Sequence, residues 1–313
     1  MHALHVATAE VVAPSAPSGP SDLMVRLQKI TDEAAARHDK EAAETPRQLF
    51  LPGMEEHMRA MPNHLSRCPL FASVAPDQKK IHDGTVFHQT ETVTLKGWGK
   101  QLTEDQADIW LHAVYLASKV PLGQPVIIRK REFLRGLGRD EGGSQFDWLH
   151  RGVTALSTFT IAIEARTKDG KIKYSIGKHP SSRVMQMLGG FDYDEETEEY
   201  RLVIDPRWRQ TFGNREYGFL DWGKRLQIRR RQNLAKSLQR LISTSSDVVQ
   251  RYSLEYLKGR AQYGSPMRKF RDALESAMKE LERLEIIAGG RIEKSTKGKE
   301  QAVWTKLGGN HAQ

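Results

Sequence analysis

Along the chain, apolar side chains recur at helical spacing in some stretches and alternate with polar ones at strand spacing in others, and the order of these stretches occurs twice. The first round opens with strand-like segments around Val86 and Val93-Thr94-Leu95. "LTEDQADIWLHAVYLASK" predicts a helix: Thr103 suits the N-cap, acids crowd the first turn, and Ile109, Ala113 and Leu116 form an apolar stripe that stops before Pro121. A short strand at Val126-Ile127-Ile128 follows, then a short helix in "REFLRGLG" and a longer one in "GGSQFDWLHRGVTALSTF" capped by Ser144, with Phe146, Leu149, Val153 and Leu156 inward. Alternating strands Phe159-Ile161-Ile163 and Ile172-Tyr174-Ile176 flank the turn signal "KDGK", and Tyr200-Leu202-Ile204 closes the unit.

The second round has the same order. A long helix is expected from Asp221 to Ser243, burying Leu234, Leu238, Leu241 and Ile242, with Arg229, Arg230 and Arg231 on its flank. "YSLEYLKGR" reads as a short helix capped by Ser253. "SPMRKFRDALESAMKELERL" reads as a long one capped by Ser265, with Pro266 at N1 and a stripe of Met267, Phe270, Leu274, Ala277, Leu281 and Leu284. Strands at Ile286-Ile287 and Ala302-Val303-Trp304 bracket "GGRIEKSTKGK". Helix, short helix, turn, helix and hairpin is the order of a winged helix-turn-helix. The expected fold is therefore α+β, with two such domains in tandem at 58–205 and 206–313 behind an arm of residues 1–57.

The arm differs in composition. Residues 1–22 are poor in large apolar groups and contain Pro14, Pro17, Gly19 and Pro20, which predicts disorder; residues 23–44 allow a helix through Leu23, Leu27 and Ile30. At its end stands the apolar cluster Gln48-Leu49-Phe50-Leu51, suited either to a partner's pocket or to the chain's own first domain.

No run approaches the roughly 20 apolar residues of a membrane span, and the start lacks a signal-peptide pattern, so a cytoplasmic protein without membrane contact is expected. The single cysteine, Cys68, excludes an intrachain disulfide and reads as an inert thiol. Charge changes the picture more. Residues 206–313 carry 23 Lys/Arg against 11 Asp/Glu, a net +12, while residues 1–205 carry 25 against 28, a net −3. A field so uneven suits a polyanion such as DNA.

Arg268, Lys269 and Arg271 stand in the first turns of the last long helix, where the helix dipole disfavours cations by a few tenths of a kcal/mol each. A helix start entering a major groove offsets that cost, because phosphates neutralise the cations and Arg reads guanine with two hydrogen bonds. With Ser265 at the helix start, these are candidate DNA contacts. Arg291, Lys294, Lys297 and Lys299 on the basic hairpin are candidates for phosphate or minor-groove contact, as are Arg229, Arg230 and Arg231 on the preceding helix. In the first domain Gln145, Trp148, Arg151 and Thr154 fall outside the apolar stripe and are candidate DNA contacts, with a buried place as the alternative for Trp148; the low charge around them predicts a smaller electrostatic contribution.

Catalytic readings find little support. "GLGRDEGG" lacks the lysine-serine or lysine-threonine ending of a phosphate-binding loop. The acidic run "DYDEETEE" at 192–199 reads as a solvated hairpin turn rather than a metal site, and His179 and Arg183 of "HPSSR" stand in no supporting tyrosine context. No enzyme activity, cofactor or metal is expected.

Four segments carry a resemblance. "MRAMPN" at 58–63, Leu70-Phe71, "GKQLTEDQADIWLHAVYLASKVPLGQPV" and "RKFRDALESAMKELERLEII" are similar to the TrfA-type replication initiators of broad-host-range plasmids over about residues 47–305. The resemblance implies winged-helix domains that bind repeated origin sequences (iterons) in double-stranded DNA, open an AT-rich segment with contact to single-stranded origin DNA, and recruit the host initiator and replicative helicase. It also implies monomers active on DNA, inactive dimers, and a sliding-clamp peptide of the form Gln-Leu-x-Leu-Phe. Gln48, Leu49, Phe50 and Leu51 match that peptide as far as its second leucine, but Pro52 replaces the phenylalanine, so clamp binding is expected to be weak. The rival readings are a winged-helix transcriptional repressor and a tyrosine-type DNA strand-transfer enzyme.

Overall fold

The computed structural model describes Lys29, Leu51 and residues 53–73, 80–177, 185–197, 199–213 and 216–308. Two compact units are distinguished, Met1–Gln48 and Leu49–Gln313. The expected helix at 23–44, apart from Lys29, lies outside the described residues, as do Gln48, Leu49, Phe50, Pro52, His179 and Arg183.

In the second unit the chain begins with strand β1 (Met58–Pro62), helix α1 (Asn63–Arg67) and strand β2 (Phe71–Ala72), then strands β3 (Ile81–Gln89), β4 (Val93–Lys100) and β5 (Leu102–Thr103). Helix α2 (Glu104–Ala117), strand β6 (Val126–Arg129) and helices α3 (Lys130–Gly136) and α4 (Gly143–Thr158) follow. Strands β7 (Thr160–Arg166), β8 (Ile172–Ile176), β9 (Met185–Gln186), β10 (Phe191–Asp194) and β11 (Glu199–Leu202) lead to helix α5 (Trp208–Phe212) and strand β12 (Tyr217–Asp221). The remainder is α6 (Trp222–Leu226), α7 (Asn233–Ile242), β13 (Val249–Ser253), α8 (Leu254–Arg260), α9 (Met267–Arg283), β14 (Ile287–Lys294) and β15 (Glu300–Lys306).

This is a mixed α/β fold with one topology occurring twice. In the first occurrence α2, β6, α3 and α4 are followed by the hairpin β10–β11, and the sheet order is β10-β11-β6. In the second α7, β13, α8 and α9 are followed by the hairpin β14–β15, and the order is β13-β15-β14. In both, the last strand lies between the other two. The hairpin expected at 159–176 has a different place: β7 and β8 join β3, β4 and β9 in a separate five-stranded sheet. Local alternation marks those strands correctly but carries no information on which distant strand they pair with.

Among the described residues two apolar cores result. Trp110 is the centre of the first, with its ring edge-on to Trp208 at 5.2 Å and its Nε1 donating to Met187 O at 2.9 Å. Trp208, Phe212, Leu220 and Trp222 all belong to this core, so the apolar boundary falls between Trp222 and Ile228 rather than at residue 205. Leu51 is 2% exposed and packs there too. In the second core α9 buries Phe270, Leu274, Ala277, Met278 and Leu281, each large side chain contributing about 1.5–3 kcal/mol of burial.

Helix starts follow the predicted capping only in part. Thr103 precedes α2 and donates its N–H to Gln106 Oε1 at 2.8 Å, and Ser253 Oγ accepts from Tyr256 N at 3.2 Å. Ser144 does not cap α4, because Gly142 holds the extended cap conformation and the helix starts at Gly143. Ser265 likewise does not cap α9: Pro266 is the extended cap residue and its carbonyl accepts from Phe270 N at 3.1 Å. The single long helix expected at 221–243 is two helices, broken where Ile228 turns into the second core and Arg231 takes a left-handed φ of 69°.

Among the described residues no helix is long and apolar enough to cross a membrane.

Candidate nucleic-acid interface

The start of α9 and the turn of the β14–β15 hairpin carry most of the predicted contacts. Arg268 and Lys269 are exposed and form no ion pair among the described residues. Because no side chain caps this helix start, its free N–H groups and the two cations make a locally positive end. Arg271 is half-buried and ion-paired with Glu300 at the start of β15, so it ties the helix to the hairpin.

The hairpin turn is built by Ser295 and Gly298. Ser295 N donates to Lys299 O at 2.8 Å, Gly298 N donates to Ser295 O at 2.9 Å, and Gly298 sits at φ 73°, which only glycine adopts freely. That tight turn leaves Lys294, Lys297 and Lys299 exposed. Arg291 is also exposed, and its Nε donates to Glu293 Oε2 at 2.8 Å in a surface ion pair.

Arg229, Arg230 and Arg231 lie in the loop between α6 and α7, not on a helix flank. Arg229 N donates to Glu280 Oε1 at 2.8 Å, and Arg230 stands 3.6 Å from Asp140. All three remain exposed.

On α4, Arg151 is exposed, but Gln145 and Trp148 belong to a polar cluster. The Arg139 guanidinium lies 3.5 Å from the Trp148 ring centre and donates to Gln145 Oε1 at 3.1 Å and Asp105 Oδ1 at 3.3 Å, while Trp148 Nε1 donates to Asp105 Oδ2 at 3.3 Å. Sequence reading missed Arg139; the Gly-rich loop that holds it close to α4 was its only signal. The turn of the first hairpin is acidic, with Asp194 Oδ1 accepting from Glu196 N at 2.9 Å and Thr197 N at 3.1 Å. These backbone N–H groups, Thr197 first, hold the Asp194 carboxyl below its usual range.

The two topological repeats are fixed to one another by buried charge. Glu104 and Asp108 on α2 face Arg225, Lys236 and Arg240. Arg225 Nε donates to Asp108 Oδ1 at 2.6 Å and its Nη2 to Glu104 Oε2 at 3.1 Å; Arg240 donates to both Glu104 oxygens and, at 3.1 Å, to Phe71 O. Arg260 Nη1 donates to Ser237 Oγ at 2.7 Å and its Nε to Ser66 O at 3.1 Å, with burial lowering its pKa to about 10. The "MRAMPN" segment forms β1 and the start of α1. Arg59 is buried between the rings of Tyr115 and Trp222, at 3.7 and 4.6 Å. Desolvation lowers its pKa to about 10.

Among the described residues no group of His, Cys, Asp and Glu could hold a metal ion. Cys68 is buried, and desolvation raises its thiol to about 11.

A basic helix start beside a lysine hairpin, on a mixed α/β frame, is a surface of the kind that nucleic-acid-binding proteins use. No family model matches the chain. Over 268 residues, 83% of its length, it is 22% identical to the plasmid replication initiator protein TrfA of Escherichia coli, of which it spans 66%. That is just under two thirds of the relative. Among solved structures, domains 2 and 3 of RctB align with a TM-score of 0.47 and 13% identity over 79% of this chain and 98% of that one. Another structure of RctB domains 2–3 aligns at 0.46 and 11%, over 78% and 97%.

Proposed function

We propose that the chain is a non-enzymatic plasmid replication initiator that binds repeated sequences in double-stranded origin DNA through two winged-helix units. The repeated helix–strand–helix–helix–hairpin topology supports the winged-helix reading, with α4 and α9 as recognition helices and the two hairpins as wings. Similarity to TrfA supports the initiator reading over a repressor or a strand-transfer enzyme. The observation that carries the DNA reading is the uncapped, cation-bearing start of α9 next to Lys294, Lys297 and Lys299.

The units divide the work by charge. Phosphates attract the lysine wing and are repelled by the acidic first wing, so the second unit supplies most of the electrostatic affinity while α4 adds shape and base contacts. Origin opening, contact with the opened single strand, recruitment of the host initiator and helicase, an inactive dimer and a cytoplasmic location follow from the initiator reading.

Clamp binding is the least favoured part. Leu51 would have to leave the first core to serve as an anchor, a loss of about 1.5–3 kcal/mol of burial before any contact is made.

Permanganate probing of supercoiled DNA carrying the chain's own origin tests the proposal. Protein-dependent reactive thymines beside regularly spaced protected repeats are expected. Protection without reactive thymines supports a repressor, and a covalent protein–DNA product supports a strand-transfer enzyme.

A further inference from the structure

Among the described residues strand β12 has a strand partner on one edge only. It pairs with β1 in a two-stranded ribbon, Arg59 opposite Leu220 and Met61 opposite Gly218. The flanking bonds Trp222 N to His57 O, 2.8 Å, and Asn63 N to Glu216 O, 2.9 Å, set the phase of the ladder. In an antiparallel pair the bonded and non-bonded positions alternate, so the N–H and C=O groups of Tyr217 and Phe219 point away from β1. Among the described residues none of these four groups has a partner.

A groove of 740 Å³ is lined by every residue of β12 from Tyr217 to Asp221, and on the β1 side of the ribbon by His57, Met58 and Asn63. Its far wall comes from the end of α7 and the ends of β13 and β15, with Ile242 and Ile286 buried and Val248 and Leu307 exposed at the rim. Close approach of β12 to that wall depends on Gly218, where a Cβ would lie 2.5 Å from Ser243 O. Asn63 Oδ1 also lies in the groove lining, buried and without a partner among the described residues.

Besides the Tyr217 phenol, the titratable groups in the lining are Lys224, Lys306, His57 and Asp221. Asp221 is engaged, since its Oδ1 accepts from Lys224 N at 2.9 Å to cap α6. Lys306 Nζ donates to Ser245 O at 2.9 Å, with no carboxylate partner among the described residues, and desolvation lowers its pKa.

We propose that the free edge of β12 is a docking strand for an extended acidic peptide of a partner protein, which adds to the β1–β12 ribbon as a third strand with its carboxylates toward Lys306 and Lys224. Strand addition satisfies the outward backbone groups, and on the groove-facing side of the added strand apolar side chains enter the groove while acids of that same side meet the two ammonium groups. DNA fits less well, because the outward carbonyls of Tyr217 and Phe219 repel phosphate whereas a peptide N–H satisfies them.

The test is a titration of the full chain with the fluorescent capped peptide Glu-Thr-Val-Thr-Val-Thr-Glu, which brings Glu and Val to one face, beside its counterpart with Lys in place of Glu, with amide hydrogen exchange read at Tyr217 and Phe219. The acidic peptide is expected to bind about tenfold more tightly than the basic one and to slow exchange at both amides. Lys306→Glu, and independently Val248→Asp at the exposed rim, are expected to weaken binding by about tenfold, the latter with an unchanged melting temperature. The proposal is overturned if neither peptide binds, if both bind equally, or if binding leaves the two amides unprotected. Protection that grows with protein concentration alone would assign the edge to a second copy of the chain, and displacement of the peptide by random-sequence duplex DNA would assign it to nucleic acid; either overturns it.

Discussion

Arg240 Nε lies 3.2 Å from Glu104 Oε2, and neither side chain has any exposed surface, so a full charge pair on α7 and α2 joins the two topological repeats inside the protein. Arg225 shares the same carboxylate. With two guanidinium groups on one glutamate and Asp108 beside them, each charge is compensated only while the repeats keep this orientation.

Removing the shared carboxylate should therefore be costly. Glu104→Gln leaves Arg225 and Arg240 buried without their counter-ion and is expected to destabilise by about 3–5 kcal/mol. Urea unfolding measures this. A loss near zero would mean that water reaches the junction.

Acid sensitivity follows from His112. Its Nδ1 lies 3.1 Å from Arg59 Nη2, and since a guanidinium only donates, the imidazole must accept and stay neutral. Burial, then the charges of Arg59 and Lys119, lower its pKa to about 3. The unfolded chain takes up this proton near the ordinary value of about 6.5 and the folded chain does not, so the contribution is complete above that pH and is lost as pH falls toward 3. His112→Gln should lose about 1.4 kcal/mol less stability than wild type between about pH 7.5 and about pH 5.5. His64 and His88, also lowered first by burial, keep a residual slope in both proteins. Identical slopes would contradict the assignment.

The buried place of Leu51 predicts a folding phenotype. Leu51→Ala is expected to cost about 2–5 kcal/mol in thermal or urea unfolding. An unchanged midpoint would return this residue to the arm and favour a role at a clamp.

The lysine wing should act through phosphate. Replacing Lys297 and Lys299 together with Ala is expected to weaken binding to all DNA sequences alike and to lower the magnitude of the salt slope by roughly 2. An unaltered slope would remove the wing from the interface.

Much of this surface was legible in the sequence because it obeys local rules. The stripe of α9, its cationic start and the glycine-containing lysine turn are all patterns of neighbouring residues. The junction was not. Glu104 looks like an ordinary first-turn acid, and only the approach of Arg225 and Arg240 from more than a hundred residues away makes it the centre of a buried network. The break between α6 and α7 was hidden for a related reason: Arg231 is a good helix former by composition, and its left-handed backbone is set by the turn that sends Ile228 into the second core.

The most direct test is hydroxyl-radical footprinting of the wild type and Arg268→Ala on the repeats flanking the chain's own gene. Wild type is expected to protect each repeat over a major-groove face. Arg268→Ala should lose about 1–3 kcal/mol on those repeats and relax preference at one base pair, while keeping its affinity for random DNA to within a phosphate contact. Undiminished discrimination by Arg268→Ala, or no protected repeats with the wild type, would contradict α9 as the recognition helix of a DNA-binding initiator.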